Sequence, residues 1–250
     1  MRRKEIRKQR TFVNSTLPID IDENYVFIRN DFIFLLCSKF VFFCALFFGR
    51  IFFRLIGTHK ILGRNRVKDL NTRGFITIAN HCHYLDGVLT SSTLGPRTIW
   101  FPSVQRNFET PYIRKFLRII KGFPIPNNPF GLMQIMKPSI EAINRGDVIH
   151  FFPEEELWHL HQGIENFQYG AFYMAHEANC PIVPIVHLFK PRTFLGNKIS
   201  NEILSITSVI GQPIYPSNNK TIESVKIMID QAHDWMQNEM LKYKNENNLF

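Results

Sequence analysis

The chain predicts an α/β fold, a sheet covered by helices, and three observations predict it. From about residue 60 onward, short β-branched runs alternate with stretches of helical spacing. An apolar content of 45% over 250 residues supplies a substantial core. No internal repeat or low-complexity linker interrupts the alternation, so one globular domain with an N-terminal appendage is expected.

Residues 1–31 read as a polar, poorly ordered lead-in. The first ten hold six Lys/Arg and one Glu, and the whole chain carries a net charge of +9. Such a block is a solvated tail or an attraction to an anionic surface. No basic motif with interleaved stacking aromatics occurs, so nucleic acid is not an expected partner.

Residues 32–57 read as a membrane-anchoring segment of one or more helices. The run from Phe32 to Phe48 is apolar except for Ser38 and Lys39, and nine of the 24 phenylalanines fall between 32 and 53. Burying several Phe at roughly 1.5–3 kcal/mol each outweighs one Lys near a helix centre at about 2.5–3.5 kcal/mol. The structural alternative is a buried core helix, but the apolarity is nearly all-round rather than on one face. Basic residues recur at 39, 50 and 54, which favours an interfacial or half-inserted anchor on the cytoplasmic face of a bilayer over a full span.

Residues 58–250 form the expected catalytic domain. Strands are predicted at 75–79, 98–101, 147–152, 182–186 and 203–210, and helices at 87–94, 111–120, 131–145 and 170–178. A closing amphipathic helix over 221–243 follows from Ile222, Val225, Ile229, Ala232, Met236 and Met240 at steps of three and four. The four cysteines, at 37, 44, 82 and 180, have neither a disulfide nor a zinc spacing, which points to a reducing compartment.

The chemistry starts at Asn80-His81-Cys82-His83-Tyr84-Leu85-Asp86, directly after the strand at 75–79. A carboxylate five positions on, where a helix begins, can fold back onto the ring's Nδ1 and leave Nε2 to take a proton. A lone His is more often structural, but α/β sheets place their chemistry at strand ends. Cys82 is badly placed to pair with its neighbour's ring, because consecutive residues of an extended segment point opposite ways. His81-x-His83 also has a metallohydrolase form, with His159, His161, His176 and His187 as further ligand candidates, although none has a tight spacing with an acidic partner.

Three other stretches stand out. Phe152-Pro153-Glu154 follows the strand at 147–152; it is a solvated turn or a loop that delivers Glu154 to the His81 cleft. Lys121-Gly122-Phe123-Pro124-Ile125-Pro126 reads as a rigid turn at a strand, structural by default and a binding wall if it abuts the cleft. Cys180-Pro181-Ile182-Val183-Pro184-Ile185 reads as a buried strand with a packing role.

Taken in order, these stretches resemble the glycerolipid acyltransferase superfamily, which includes the glycerol-3-phosphate and lysophosphatidic acid acyltransferases. The first block is His81 with Asp86, the family's His-x4-Asp. The second is Gly122-Phe123 with Ile125. The third is Phe152-Pro153-Glu154, followed by Phe167 and Gly170-Ala171, and the fourth is Pro181 to Ile185. Gly211-Gln212-Pro213-Ile214 is a further match, so the likeness covers about residues 60–215.

The resemblance implies a mixed central sheet flanked by helices and an O-acyltransferase. His81 would be general base and Asp86 its orienting partner, with Gly122, Phe123, Phe152, Pro153 and Glu154 lining the substrate site. The donor would be a thioester, acyl-CoA or acyl carrier protein, and no further cofactor or metal is implied. The acceptor would be a lysophospholipid such as 1-acylglycerol-3-phosphate. Two other readings fit the same residues: a metal-dependent hydrolase built on His81 and His83, and a catalytically inactive lipid-binding protein.

Departures from the family pattern bear on the acceptor. Gly-Thr-Arg usually follows Phe-Pro-Glu, and here Glu155, Glu156 and Leu157 stand there. The second block usually ends in Arg, and here it runs into Asn127. A Lys commonly precedes the glycine at 170, and here it is Tyr169. A phosphate monoester is best held by a bidentate Arg, so losing three basic positions argues against glycerol-3-phosphate itself. Lys121, Arg145 and Arg106 are the basic residues that could take over.

Overall fold

The computed structural model describes residues 17–55, 58–70, 73–194, 197–218 and 221–249. The basic block at 1–10 and the last two anchor positions, 56 and 57, lie outside the described residues.

A seven-stranded sheet organises the chain: β1 (Thr58–Leu62), β2 (Phe75–Ala79), β3 (Ile99–Val104), β4 (Gly122–Ile125), β5 (Val148–Phe151), β6 (Ile182–Phe194) and β7 (Asn197–Ile210). Their spatial order is β1-β7-β6-β2-β5-β3-β4. All neighbours are parallel except β6 and β7, so the sheet is mixed, as expected. β2 and β5 are buried at every position, which is why they read as continuous apolar runs rather than as alternation. β1 was not foreseen, and β4 was read as a turn. β6 and β7 run well past the predicted 182–186 and 203–210, because their hairpin extends beyond the parallel part of the sheet.

Side chains alternate between the two faces. Phe75, Ala79, Val148, Val183 and Ile185 pack with Val67 and Leu94 on one face. Ile76, Ile78, Ile149 and Trp100 pack on the other with residues of α4 (Gly131–Asn144), α5 (Gly170–Glu177) and α6 (Ile222–Asn247). Helix α2 (Asp86–Leu94) contributes Leu94 to the first face. α3 (Pro111–Ile119) starts with a proline whose fixed φ suits the first helical turn. α6 is capped by Thr221, which accepts from Ser224 N, and ends at Asn248 in the left-handed region. Of its expected apolar stripe, Val225, Ala232, Met236 and Met240 are buried, whereas Ile222 is exposed.

One expectation at the N-terminus needs correction. Residues 17–31 are not a loose polar lead-in: Ile19, Phe27 and Ile28 are buried, and Phe27 and Ile28 join the main core. The Arg118 guanidinium donates to the carbonyls of Phe27 and Val26, 2.7 Å each, which pins the segment to α3. The segment 32–55 is one helix, α1 (Phe32–Leu55). Among the described residues no helix is long and apolar enough to cross a membrane. α1 is seated on the domain by Phe34, which is buried and stacks on Trp100 with ring centroids 6.3 Å apart.

Candidate functional site

β2 and β5 are parallel neighbours, yet their chains leave toward opposite faces, to α2 and to α5. Loops that diverge in this way open a crevice beyond the strands' carboxyl ends. His81 follows β2 at that edge, and Phe152-Pro153-Glu154 follows β5 at the same edge.

The loop between β2 and α2 wraps around one carboxylate. Asp86 Oδ2 accepts from the backbone N–H groups of Cys82 at 2.7 Å and His83 at 2.9 Å. The same oxygen lies 2.9 Å from His81 Nδ1. Asp86 is 1% exposed, and a buried carboxylate needs such donors to offset its lost hydration. The His81 side chain keeps 23% exposure. With Nδ1 donating to Asp86, Nε2 carries a free lone pair that can accept a proton.

Phe152 lies parallel to the His81 ring, centroids 4.1 Å apart, and so fixes the plane of the imidazole. Glu154 is buried beneath the loop. Its Oε2 accepts from His81 N and its Oε1 from Glu165 N, both at 3.3 Å. Burial, the dominant influence, pushes its carboxyl up to about 7. Pro153 is buried and its carbonyl accepts from Gln168 N at 2.9 Å. The segment after Glu154 doubles back to pair with the His81 loop: Trp158 N donates to His81 O and Leu160 N to Cys82 O, both at 2.8 Å. No motif announces that pairing, and sequence reasoning missed it.

His81, Asp86, Phe152, Pro153 and Glu154 therefore share one crevice. Gly122 and Phe123 do not reach it. They open β4, the marginal strand three places from β2, level with Thr77 and Ile78, and Phe123 is fully buried in the core. Gly122 is needed for packing, since a Cβ there would meet Leu117 O at 2.8 Å.

The substitute basic residues separate in the same way. Lys121 precedes β4, three strands from β2, and Arg145 precedes β5 at the end of the sheet away from His81. Lys121 is 3% exposed with Nζ over the Phe42 ring, and burial, the main cause, lowers it to about 8. Arg145 lies 3.6 Å from Asp147. Arg106 alone follows β3 at the His81 edge, and it is exposed. Glu155 has φ of 60°, the left-handed region where the family's glycine would be relaxed.

Cys82 is buried with its Sγ 3.8 Å from Asp86 Oδ1, and burial pushes its thiol well up, so it is no thiolate nucleophile. Of the histidines weighed as metal ligands, His83 and His159 are neighbours, with ring centroids 5.9 Å apart, and the others sit in different settings. His176 pairs with Ser224 Oγ at 2.9 Å, His161 with Glu165 at 3.2 Å, and His159 stacks on Tyr84. His83 Nδ1 accepts from Leu85 N at 3.1 Å. Among the described residues no three His, Cys, Asp or Glu side chains are grouped to hold a metal ion.

A family model described as Acyltransferase matches residues 60–188, just over half of the chain. The fold is similar to the crystal structure of the 1-acyl-sn-glycerophosphate (LPA) acyltransferase PlsC from Thermotoga maritima. The TM-score is 0.60 at 15% identity, over 83% of this chain and 81% of that one. No curated protein matches the chain.

Proposed function

This chain belongs to the Acyltransferase family, and we propose that it moves a fatty acyl group from a thioester to a glycerolipid hydroxyl. The observation that carries the reading is the half-open His81 ring, held at Nδ1 by a buried carboxylate and free at Nε2 on the sheet's carboxyl edge. Nε2 takes the hydroxyl proton as the oxygen attacks the thioester carbon. The carbon–sulfur bond breaks, and the departing thiolate recovers the proton from the imidazolium. Asp86 stabilises that imidazolium, a base contribution of roughly 10²–10⁴-fold. A thiolate of pKa about 8.5 leaves readily, so no covalent enzyme intermediate is required.

The acceptor is a lysophospholipid such as 1-acylglycerol-3-phosphate, the substrate class of the similar Thermotoga maritima enzyme. Arg106 is the only Lys or Arg in the loops that follow β2 to β5, so it is the residue to meet an anionic headgroup. Two strand spacings, roughly 10 Å, separate β2 from β3. A glycerol backbone and an extended arginine can bridge that gap.

The same site needs access to lipid, and α1 offers it. Phe32, Ile33, Phe40, Phe43 and Phe48 are all at least 65% exposed on one helix. An exposed patch of this kind marks an interaction surface, and here its occupant is the bilayer interface on the cytoplasmic side, in line with the basic residues around it.

The test is acyl transfer from labelled acyl-CoA and acyl carrier protein over a panel of acceptors, wild type against His81→Ala. Transfer to lysophospholipids that His81→Ala abolishes is the expected result. Turnover of glycerol-3-phosphate with no preference for lipidic acceptors, or activity that survives His81→Ala, refutes the reading.

A further inference from the structure

Behind the crevice a chain of buried hydrogen bonds crosses the sheet. His150 on β5 and His187 on β6 flank β2 from either side, and both are 0% exposed. Thr77, the register partner of His150, shares a 2.8 Å hydrogen bond with its Nδ1. The other nitrogen of His150 lies 3.4 Å from Thr90 Oγ1, and the same hydroxyl lies 3.3 Å from His187 Nε2. His187 Nδ1 is 2.8 Å from Ser208 Oγ, which in turn is 2.8 Å from His59 Nε2. The backbone of His187 is gripped as well. Its N–H donates to Asn80 Oδ1 at 2.8 Å and its carbonyl accepts from Asn80 Nδ2 at 3.0 Å.

Thr90 is the joint of this chain. It sits one helical turn beyond Asp86 on α2, hence on the same helix face, and both are buried. A threonine hydroxyl has one proton, so Thr90 donates to one ring and accepts from the other. One ring therefore accepts at Nε2 and the other donates from it, which in two neutral imidazoles means opposite tautomers. Burial favours the neutral form of both. With Asn80 clamped immediately before His81, the network fixes α2 on one side of the dyad and the end of β2 on the other.

We propose that Thr90, held between His150 and His187, is a positioning residue that sets the Asp86 carboxylate against the His81 ring. The proposal rests on the acyl-transfer reading for its kinetic consequence, but its geometric consequence is independent of that reading. Among the described residues four groups bear on the His81 ring or its backbone: Asp86 from α2, Glu154 and Trp158 from the loop after β5, and the stacked Phe152. Thr90 touches none of them and acts only through the seating of α2.

The experiment uses the full chain with Thr90→Val, which keeps shape and loses the hydroxyl, and Thr90→Ser, which keeps the hydroxyl. Imidazole ¹⁵N NMR reads the hydrogen-bonded Nδ1–H of His81 and the tautomers of His150 and His187, and acyl-transfer kinetics are measured alongside. Thr90→Val should lose the ordered His81 signal and lower kcat about 10- to 100-fold, the cost of misplacing a group by about an ångström. KM should stay within about twofold, and Thr90→Ser should restore both readouts. An intact His81 signal with wild-type kcat in Thr90→Val overturns the proposal, as does an equal loss in Thr90→Ser. If Thr90→Val does not fold, Ser208→Ala decides: a disturbed His81 signal supports the network, and no change overturns it. If wild-type protein transfers no acyl group, the functional reading fails, while the NMR arm still decides this one.

Discussion

Asp86→Asn keeps the shape of the side chain and removes its charge, which isolates what the carboxylate does for His81. Three donors converge on Oδ2: the ring Nδ1 and the N–H groups of Cys82 and His83, between 2.7 and 2.9 Å. The amide oxygen of Asn can still accept from both backbone groups, so the loop should hold its form. A hydrogen bond to a charged group contributes about 1.5–3 kcal/mol against about 0.5–1.5 for a neutral one. The difference, about 1–2 kcal/mol on the imidazolium, is a loss of about 5- to 30-fold in kcat. If the amide nitrogen turns toward Nδ1 instead, the ring takes the other tautomer and Nε2 no longer accepts a proton. The loss then approaches that of His81→Ala, about 10²–10⁴-fold. Initial rates with labelled acyl thioester at saturating lysophospholipid measure both variants, with circular dichroism as the folding control. Because the two residues act as one unit, the double variant should be no slower than His81→Ala alone. An Asp86→Asn enzyme within twofold of wild type, or losses that multiply in the double variant, refutes the mechanism.

Acid should weaken the fold through the buried histidines. Burial, the main cause, lowers His59 to about 4 and also holds His150 and His187 below the usual imidazole value. The unfolded chain takes up these protons near pH 6.5 and the folded chain does not, so this stability is present above about 6.5 and is lost as pH falls toward 4. Urea midpoints at pH 7 and pH 5 check it, and equal midpoints contradict it. Glu154 runs the other way. Its folded value near 7 lies above 4.5, so its contribution diminishes as pH rises from 4.5 to 7, by about 3 kcal/mol at most. Glu154→Gln should therefore raise the melting temperature relative to wild type more at pH 8 than at pH 5; an equal difference at both would rule this out. On α1, Phe40 and Phe43 are 67% and 66% exposed. Replacing both with Asp should leave thermal stability nearly unchanged. It should weaken vesicle co-sedimentation at least about 100-fold, since each Phe buries roughly 1.5–3 kcal/mol in an apolar phase. Undiminished sedimentation would mean that this face does not meet lipid.

The dyad was legible because it is local. A histidine after an apolar strand and an aspartate at the next helix start are joined by one turn, and the turn itself supplies the Cys82 and His83 donors. Glu154 was legible for a similar reason, since β5 pairs with β2 and both end at one edge. β4 was hidden because a four-residue strand with a proline looks like a turn until Phe101 and Val104 pair with it. Residues 17–31 read as loose because their anchors, the Arg118 guanidinium and the main core, lie far along the chain.

From its sequence alone the chain determined the alternation of strands and helices, the apolar run of α1 and the spacing that lets Asp86 meet His81. These depend on side-chain periodicity and on contacts within a few residues. Strand order was decided only in three dimensions. It set Lys121 and Arg145 away from His81, left Arg106 at the strand ends that His81 shares, and brought His150 and His187 together on Thr90. The physical reason is that pairing between distant strands is chosen by how whole faces bury together, and no short window of residues carries that information.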